Sequence, residues 1–185
     1  KNKIFSNVQL VFTIYQIAEG MKYVHFKKII HRNLKPSNIL VFEDGSIKIS
    51  DFGIFHLMTI KEQILSRGLN CKKFMAPELK NDIKYDEKVD IYSFGIIVYF
   101  ILNDGELPNA SEDGKVAIPS KFRLLAQQLI DVCCNMESKN RPSFEIICTT
   151  LEENKFDILS LNEQEFKEVS KMIEQYKSRI PFYSQ

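Results

Sequence analysis

The chain has 185 residues, of which 44% are hydrophobic, and 25 basic against 24 acidic residues give a formal net charge of +1. These values are ordinary for a globular domain and allow a sizeable core. The near-zero charge balance argues against binding of nucleic acid or an acidic membrane by charge alone. The longest apolar stretch, 91–102, is too short for a membrane span, which needs ~20 residues.

The four cysteines indicate reduced thiols rather than a disulfide or metal framework. Cys133 and Cys134 are adjacent, Cys71 and Cys148 stand alone, and no Cys-x-x-Cys pair occurs. Zinc sites and disulfide-stapled secreted domains need other spacings. No signal peptide is visible at the N-terminus. We therefore expect a cytoplasmic protein. We also expect the two adjacent cysteines to be packing residues of a helix.

The hydrophobic pattern predicts a mainly α-helical chain with one small β-hairpin. Asn7 is the candidate N-cap of the first helix, and Asp44-Gly45 between two short apolar runs predicts the turn of the hairpin. Gly105 is expected near the C-terminal end of the long central helix. The predicted elements are a helix over 7–26, a hairpin over 39–49, a loop over 54–75, a helix over 89–102, a loop over 105–119, helices over 122–136 and 143–151 (with Ser143 as its cap), and a helix over 162–177.

The last predicted helix has the cleanest apolar stripe. Phe166, Val169, Ile173 and Tyr176 fall at relative positions 0, 3, 7 and 10. Such a stripe either docks on the chain's own core or pairs with another chain. Docking is favoured, because a coiled coil needs about three or four heptads.

The most informative signal is a succession of five short motifs in a fixed order. They are HRNLKPSN at 31–38, DFG at 51–53, APE at 76–78, DIYSFG at 90–95 and RPSF at 141–144. On the predicted loop, hairpin and helix background, they resemble the C-terminal lobe of a eukaryotic protein kinase, and most closely its tyrosine-kinase-like branch. The resemblance covers about 7–154. Residues 1–6 would then be a remnant of the inter-lobe region, and 155–185 a C-terminal helical extension.

The resemblance implies ATP and Mg²⁺ as cofactors and a protein hydroxyl as phosphate acceptor. Phosphoryl transfer depends mainly on positioning and charge stabilisation. Asn38 and Asp51 would hold the metal ions. Lys35 would contact the transferring phosphate, and Leu40 would lie under the adenine.

The resemblance also implies residues that hold the site together. Asp90 would accept backbone N–H bonds from the catalytic loop. Glu78 and Arg141 would form a buried ion pair that clamps the activation segment. His31 and Phe52 would stack in the core of the lobe.

The activation segment, 51–78, carries two hydroxyl residues. Phosphate on Thr59 or Ser66 would pair with Arg32, because arginine binds phosphate well. The alternative is that both are simply loop residues. His25 and His56 have no partner at an informative spacing, and we expect them to be surface or packing residues.

The sequence departs from the family in the catalytic loop and upstream of it. Asn33 stands where the family has the aspartate that takes or orients the proton of the substrate hydroxyl. An amide cannot act as that base, and general-base catalysis contributes about 10²–10⁴-fold. No G-x-G-x-x-G stretch occurs in the 185 residues, so the N-terminal lobe is expected to be absent and ATP binding weak.

Two smaller departures concern the family's tie between the catalytic aspartate and lysine, and its docking helix. Asn70-Cys71 stands where the family has a Gly-Thr pair, and the loop over 105–119 is short for the family's docking helix. Three alternatives remain open. In the first, the chain is an impaired protein kinase lobe, either Ser/Thr-directed or of dual specificity. In the second, it is a pseudokinase that acts as a scaffold or allosteric module in signalling. In the third, it is a fragment of a working enzyme. A protein substrate or signalling partner is expected, and the sequence indicates no oligomeric state.

Overall fold

The computed structural model describes residues 5–51, 73–80, 85–109, 115–154 and 156–180. The elements in chain order are α1 (Asn7–Phe26), β1 (Ile39–Val41), β2 (Ile47–Ile49), α2 (Pro77–Lys80), α3 (Lys88–Leu102), α4 (Leu124–Cys133), α5 (Phe144–Glu153) and α6 (Glu163–Arg179), with 3-10 turns at Pro36–Asn38 and Ser138–Asn140. The predicted fold class, mainly helical with one hairpin, is confirmed. Among the described helices, none has the length and apolar character that a membrane span requires.

Helices α1 and α3 form the centre of the core. In α3 every residue from Val89 to Tyr99 is buried, as expected of a helix that is apolar on all sides. Helix α1 contacts α3, α5, α6 and strand β2. The chain therefore places the loop and hairpin that follow α1 directly on its most buried helices.

The first helix begins at the predicted residue but with a different cap. Ser6, not Asn7, is the N-cap: its Oγ accepts the N–H of Gln9 at 3.2 Å. The side chain of Gln9 in turn accepts the N–H of Ser6 at 2.8 Å. This reciprocal pair is a capping box, and the glutamine three residues after the serine is the signal that distinguishes Ser6 from Asn7.

The central helix α3 ends close to the predicted glycine. Asp104 and Gly105 both have left-handed backbones, with φ of 54° and 84°. The N–H of Gly105 donates to Phe100 O at 2.9 Å. This bond is typical of a Schellman ending, in which Asp104 takes the left-handed C′ position and Gly105 follows it.

The other predicted helices differ from the structure mainly at their ends. The helix expected over 122–136 is shorter, because Arg123 is extended and the chain turns at Cys134. The predicted cap Ser143 is confirmed, since its Oγ accepts the N–H of Ile146 at 3.2 Å. The loop expected over 54–75 falls almost wholly outside the described residues.

The cysteines of the described residues are buried free thiols. Cys133 and Cys134 pack against Gly95 of α3, where an added Cβ would lie 2.7 Å from the Cys134 sulfur. Burial raises the pKa of Cys134 to about 12, so the thiol stays protonated. The predicted packing role of the adjacent pair is confirmed.

The last helix, α6, docks on its own chain as predicted. Val169 is 0% and Ile173 4% exposed. The Tyr176 ring meets Phe12 edge-on at 5.9 Å between centroids. At the helix end, Lys177 Nζ lies 2.6 Å from a carboxylate oxygen of Glu152 in α5. Helix α6 therefore covers the side of the core that α1 forms.

The docking of α6 is tested by a pair of isoleucine variants. Ile173→Ala should lower the free energy of unfolding by about 2–5 kcal/mol, because it empties a packed position. Ile146→Ala in α5 is the matched control, since Ile146 is 57% exposed and surface changes usually stay within about 0.5 kcal/mol. Urea unfolding of both variants measures the difference. Equal, small effects would contradict the docking of α6.

Candidate active site

The loop between α1 and the hairpin is held by a carboxylate from α3. Asp90 is 0% exposed. Its Oδ2 accepts the backbone N–H of His31 and its Oδ1 that of Arg32, both at 2.8 Å. The predicted role of Asp90 is confirmed, and the carboxylate fixes the backbone at the start of the HRNLKPSN stretch.

His25 takes part in the same anchor, which the sequence analysis missed. Its Nε2 lies 2.9 Å from Asp90 Oδ2, and its ring packs edge-on against Phe144 at 5.0 Å. The expectation of a packing residue was therefore incomplete. The two residues lie 65 positions apart, and no local spacing links them.

Arg32 has a strained backbone at this point. Its φ is 65°, a left-handed value that non-glycine residues seldom adopt and that clusters at functional sites. Its guanidinium lies 5.7 Å from the centre of the Tyr85 ring. The proposed phosphate carriers Thr59 and Ser66 lie outside the described residues, so their pairing with Arg32 stays a prediction.

His31 is buried beside two carboxylates. Burial lowers its pKa, while the charges of Asp90 and Asp51 raise it in part. The net shift favours the neutral imidazole, which suits a residue with 0% exposure. Its expected stacking partner Phe52 lies outside the described residues.

Two asparagines lie together at the centre of the loop. Asn38 is 3% exposed, and its Nδ2 donates to the backbone oxygen of Asn33 at 2.8 Å. That bond fixes the amide plane of Asn38 through its Nδ2 and does not use the Oδ1 of the same amide. The Nδ2 of Asn33 is buried and has no hydrogen-bond partner among the described residues.

The hairpin brings Asn38 close to the residue before Asp51. Its antiparallel register pairs Ile39 with Ile49. Beyond that pair, Ser50 N–H donates to Asn38 O at 2.9 Å. Asp51 follows directly, is exposed, and has a left-handed φ of 62°. The open end of the hairpin thus holds the backbone of Asn38 beside Ser50, the residue that precedes Asp51.

Lys35 and Leu40 flank this pair. Lys35 is half-buried and extended, and it immediately precedes the 3-10 turn that carries Asn38. Leu40 is 47% exposed, and so is Val41, which alternation places on the other face of β1. An exposed leucine next to Asn38 is compatible with the predicted adenine contact, which stays a prediction.

The donor atoms suit a hard divalent cation. An amide oxygen from Asn38 and a carboxylate from Asp51 are the ligand types that Mg²⁺ takes in proteins. Within the described ranges, no three His, Cys, Asp or Glu side chains come together to hold a metal by themselves. A cation at Asn38 and Asp51 would therefore need further oxygens, as phosphate and water supply.

Glu78 and Arg141 form the predicted ion pair. The contacts are bidentate, with Nη1–Oε1 at 2.6 Å and Nη2–Oε2 at 3.0 Å. The Arg141 side chain is 0% exposed, and its Nε also donates to Asn135 O at 2.8 Å. The pair joins α2 to the segment before α5, and the prediction is confirmed.

The contribution of this ion pair to stability is compared with that of an exposed ion pair. Glu78→Gln should destabilise the fold by about 3–5 kcal/mol, because it leaves the buried Arg141 charge without its counter-ion. Glu163→Gln is the control: its pair with Lys167 is 84% exposed on the glutamate side and contributes at most about 1 kcal/mol. Thermal and urea unfolding provide the comparison, and similar losses in both variants would contradict the structural role.

Comparison with known proteins agrees with the resemblance that the five motifs indicate. The protein kinase domain family matches residues 1–151. A probable serine/threonine-protein kinase of Dictyostelium discoideum is 36% identical over 146 residues, which covers 74% of this chain and 35% of that protein. Mitogen-activated protein kinase kinase kinase 12 of Rattus norvegicus is 35% identical over 166 residues, covering 81% of this chain and 18% of its own length. The dual specificity protein kinase pyk3 of Dictyostelium discoideum is 34% identical over 151 residues, covering 75% and 11%.

The chain thus spans about a third or less of the length of these curated relatives. The family match includes the loop, the hairpin, the Asp90 anchor and the Glu78–Arg141 pair. By sequence and by the arrangement of these residues, the chain belongs to the protein kinase domain family.

Proposed function

We propose that the chain is the C-terminal lobe of a tyrosine-kinase-like protein kinase domain whose phosphoryl transfer is impaired. The lobe comprises 7–154, between a short inter-lobe remnant at 1–6 and the helical extension at 155–185. Its reaction class is transfer of the γ-phosphate of ATP to a protein hydroxyl. Relatives named as serine/threonine and dual specificity kinases support that acceptor class.

Asn38 and Asp51 are the proposed metal ligands. Their oxygen donors are of the right type, and the bond from Ser50 to Asn38 O at 2.9 Å holds the two chain segments together. Mg²⁺ bound there would neutralise charge on the nucleotide phosphates. The two residues would hold the metal and, through it, the phosphates of the nucleotide.

Lys35 and Leu40 are proposed to contact the nucleotide on either side of the metal ligands. Lys35 offers a cation at the start of the 3-10 turn and would stabilise charge on the transferring phosphate. Leu40 offers an exposed apolar surface for the adenine. Both assignments depend on the family resemblance of the HRNLKPSN stretch.

The proposal that phosphoryl transfer is impaired rests on Asn33. It is 8% exposed and lies where a protein kinase has its catalytic aspartate. The amide can accept a hydrogen bond from a hydroxyl, but it cannot take the proton. The expected loss is that of a general base, about 10²–10⁴-fold.

The nucleotide affinity of the 185-residue chain is the first test. No G-x-G-x-x-G stretch is present to cover the phosphates, so millimolar Mg-ATP should change Tm by less than about 1 °C. Differential scanning fluorimetry measures this, with Asp51→Asn as the control that removes a proposed ligand. A rise of several degrees that Asp51→Asn abolishes would contradict weak binding.

The identity of residue 33 is the second test. In a kinase domain that also contains a Gly-rich lobe, Asn33→Asp should raise phosphotransfer at least ~10-fold, because it restores a carboxylate base. Asn140→Asp, in the exposed 3-10 turn Ser138–Asn140, controls for added charge. Radiolabel transfer to a generic protein substrate is the measurement. Absence of any gain would show that Asn33 is not the limiting defect.

A second candidate function is a pseudokinase, which binds a signalling partner as a scaffold or allosteric module. The specific observation in its favour is again Asn33, together with the buried Nδ2 that has no acceptor among the described residues. Such a protein would keep the fold and use its surface. The two candidates separate in the Asn33→Asp experiment, since a module with further defects would gain no activity.

A further inference from the structure

We propose that Gln16 of α1 is a positioning residue for the candidate metal site. Its buried amide fixes the β1–β2 hairpin, whose open end presents Asn38 and Asp51. The part of this inference that concerns the metal rests on the proposed function. The part that concerns the hairpin stands on the contacts alone.

The Gln16 side chain uses both polar ends of its amide on the hairpin. It is 1% exposed in the middle of α1. Its Nε2 donates to Gly45 O at 2.9 Å, and its Oε1 accepts the N–H of Ile47 at 3.2 Å. Gly45 belongs to the turn and Ile47 begins β2. One amide therefore bridges the helix to both the turn and the strand that follows it.

The hairpin is too short to be stable without its contacts to the rest of the fold. Each strand has three residues, and an isolated two-stranded hairpin is at best marginally stable in water. Leu40, Val41 and Phe42 are 44–47% exposed, so the end of β1 and the residue after it bury little surface. The hairpin depends on the helix that lies beneath it.

Helix α1 meets β2 along a single face. Gly20 lies four residues after Gln16 and so on the same side of the helix. Ile49 covers Gly20 so closely that an added Cβ would lie 3.0 Å from its Cδ1. Ile49 supplies the apolar contact near the open end, and Gln16 supplies the polar contact near the turn.

The position of Asp51 relative to Asn38 depends on this attachment. Asn38 has its own bond to the oxygen of Asn33 at 2.8 Å. Asp51, in contrast, follows Ser50, whose N–H is bonded to Asn38 O at 2.9 Å. If β2 shifts relative to β1 or the hairpin frays, the Ser50 bond opens and the two proposed ligands separate. A displacement of about 1 Å is enough to matter for a reacting group.

Gln127 provides a matched control. It is also a helical glutamine that donates to a backbone oxygen, with Nε2 2.6 Å from Phe122 O in the segment before α4. It touches neither the loop nor the hairpin in any described contact. Its replacement removes one side-chain hydrogen bond of a half-buried glutamine and should have no local effect at the candidate site.

The first experiment measures amide hydrogen exchange by NMR in the 185-residue chain. Gln16→Met preserves the approximate volume and removes both polar ends, and Gln127→Met is treated alike. We expect the Ser50 amide to exchange at least tenfold faster in Gln16→Met, relative to the Ile97 amide of α3, and to remain unchanged in Gln127→Met. Ser50 is diagnostic because the hydrogen bonds of the Gln16 side chain within the described residues go to Gly45 and Ile47 and not to Ser50. Unchanged Ser50 protection in Gln16→Met would overturn the inference.

The second experiment uses Mn²⁺ as a paramagnetic probe of the metal site. In the wild-type chain, Mn²⁺ should broaden the Asp51 amide and the Asn38 side-chain signals. Gln16→Met should need at least threefold more Mn²⁺ for the same broadening, whereas Gln127→Met should match the wild type. Equal titrations of wild type and Gln16→Met would overturn the positioning role for the metal.

The two experiments separate the possible failures. If Mn²⁺ does not broaden the wild-type signals, the proposed metal site is wrong, while the Ser50 exchange still decides whether Gln16 holds the hairpin. If Gln16→Met does not fold, Gln16→Asn takes its place, because the shorter amide cannot reach both Gly45 O and the Ile47 N–H. It should then accelerate Ser50 exchange in the same direction, and unchanged protection would again overturn the inference.

Discussion

The buried carboxylate of Asp90 is the interaction on which the candidate site depends. It lies in the first turn of α3, where the helix dipole favours negative charge. It accepts two backbone N–H bonds at 2.8 Å and lies 2.9 Å from the His25 ring. A buried charge is stable only with such partners. Without the two backbone bonds to Asp90, the left-handed backbone of Arg32 would not be held in place.

The site is therefore supported from two directions. Helix α3 fixes the loop that carries Asn33 and Asn38, through Asp90. Helix α1 fixes the hairpin that ends at Asp51, through Gln16 and the packing of Ile49 on Gly20. Because α1 and α3 pack against each other in the core, the two supports are parts of one rigid base. Exposed, strained residues such as Asp51 can be held in place only over such a base.

The sequence predicted the features that local signals determine. Asp44-Gly45 located the turn, Ser143 located a helix start, and the ordered motifs located Asp90 and the Glu78–Arg141 pair. Ser6 was missed because Asn7 beside it is an equally good capping residue, and only Gln9 distinguishes them.

The contacts of His25 and Gln16 could not be predicted in the same way. His25 meets Asp90 across 65 positions, and Gln16 meets the hairpin turn across 29. A glutamine on the buried face of a helix looks like a break in the apolar pattern until its partners are known. Such long-range polar contacts follow from the packing of elements, which periodicity does not specify.

The docking of α6 bears on where this folding unit ends. The family match stops at residue 151, yet α6 at Glu163–Arg179 buries Val169 and Ile173 against the α1 side of the core. A protein cut at the end of the family match would expose the apolar surface of α1 that α6 covers, and exposed apolar patches promote aggregation. An expression boundary for this folding unit therefore belongs beyond Arg179.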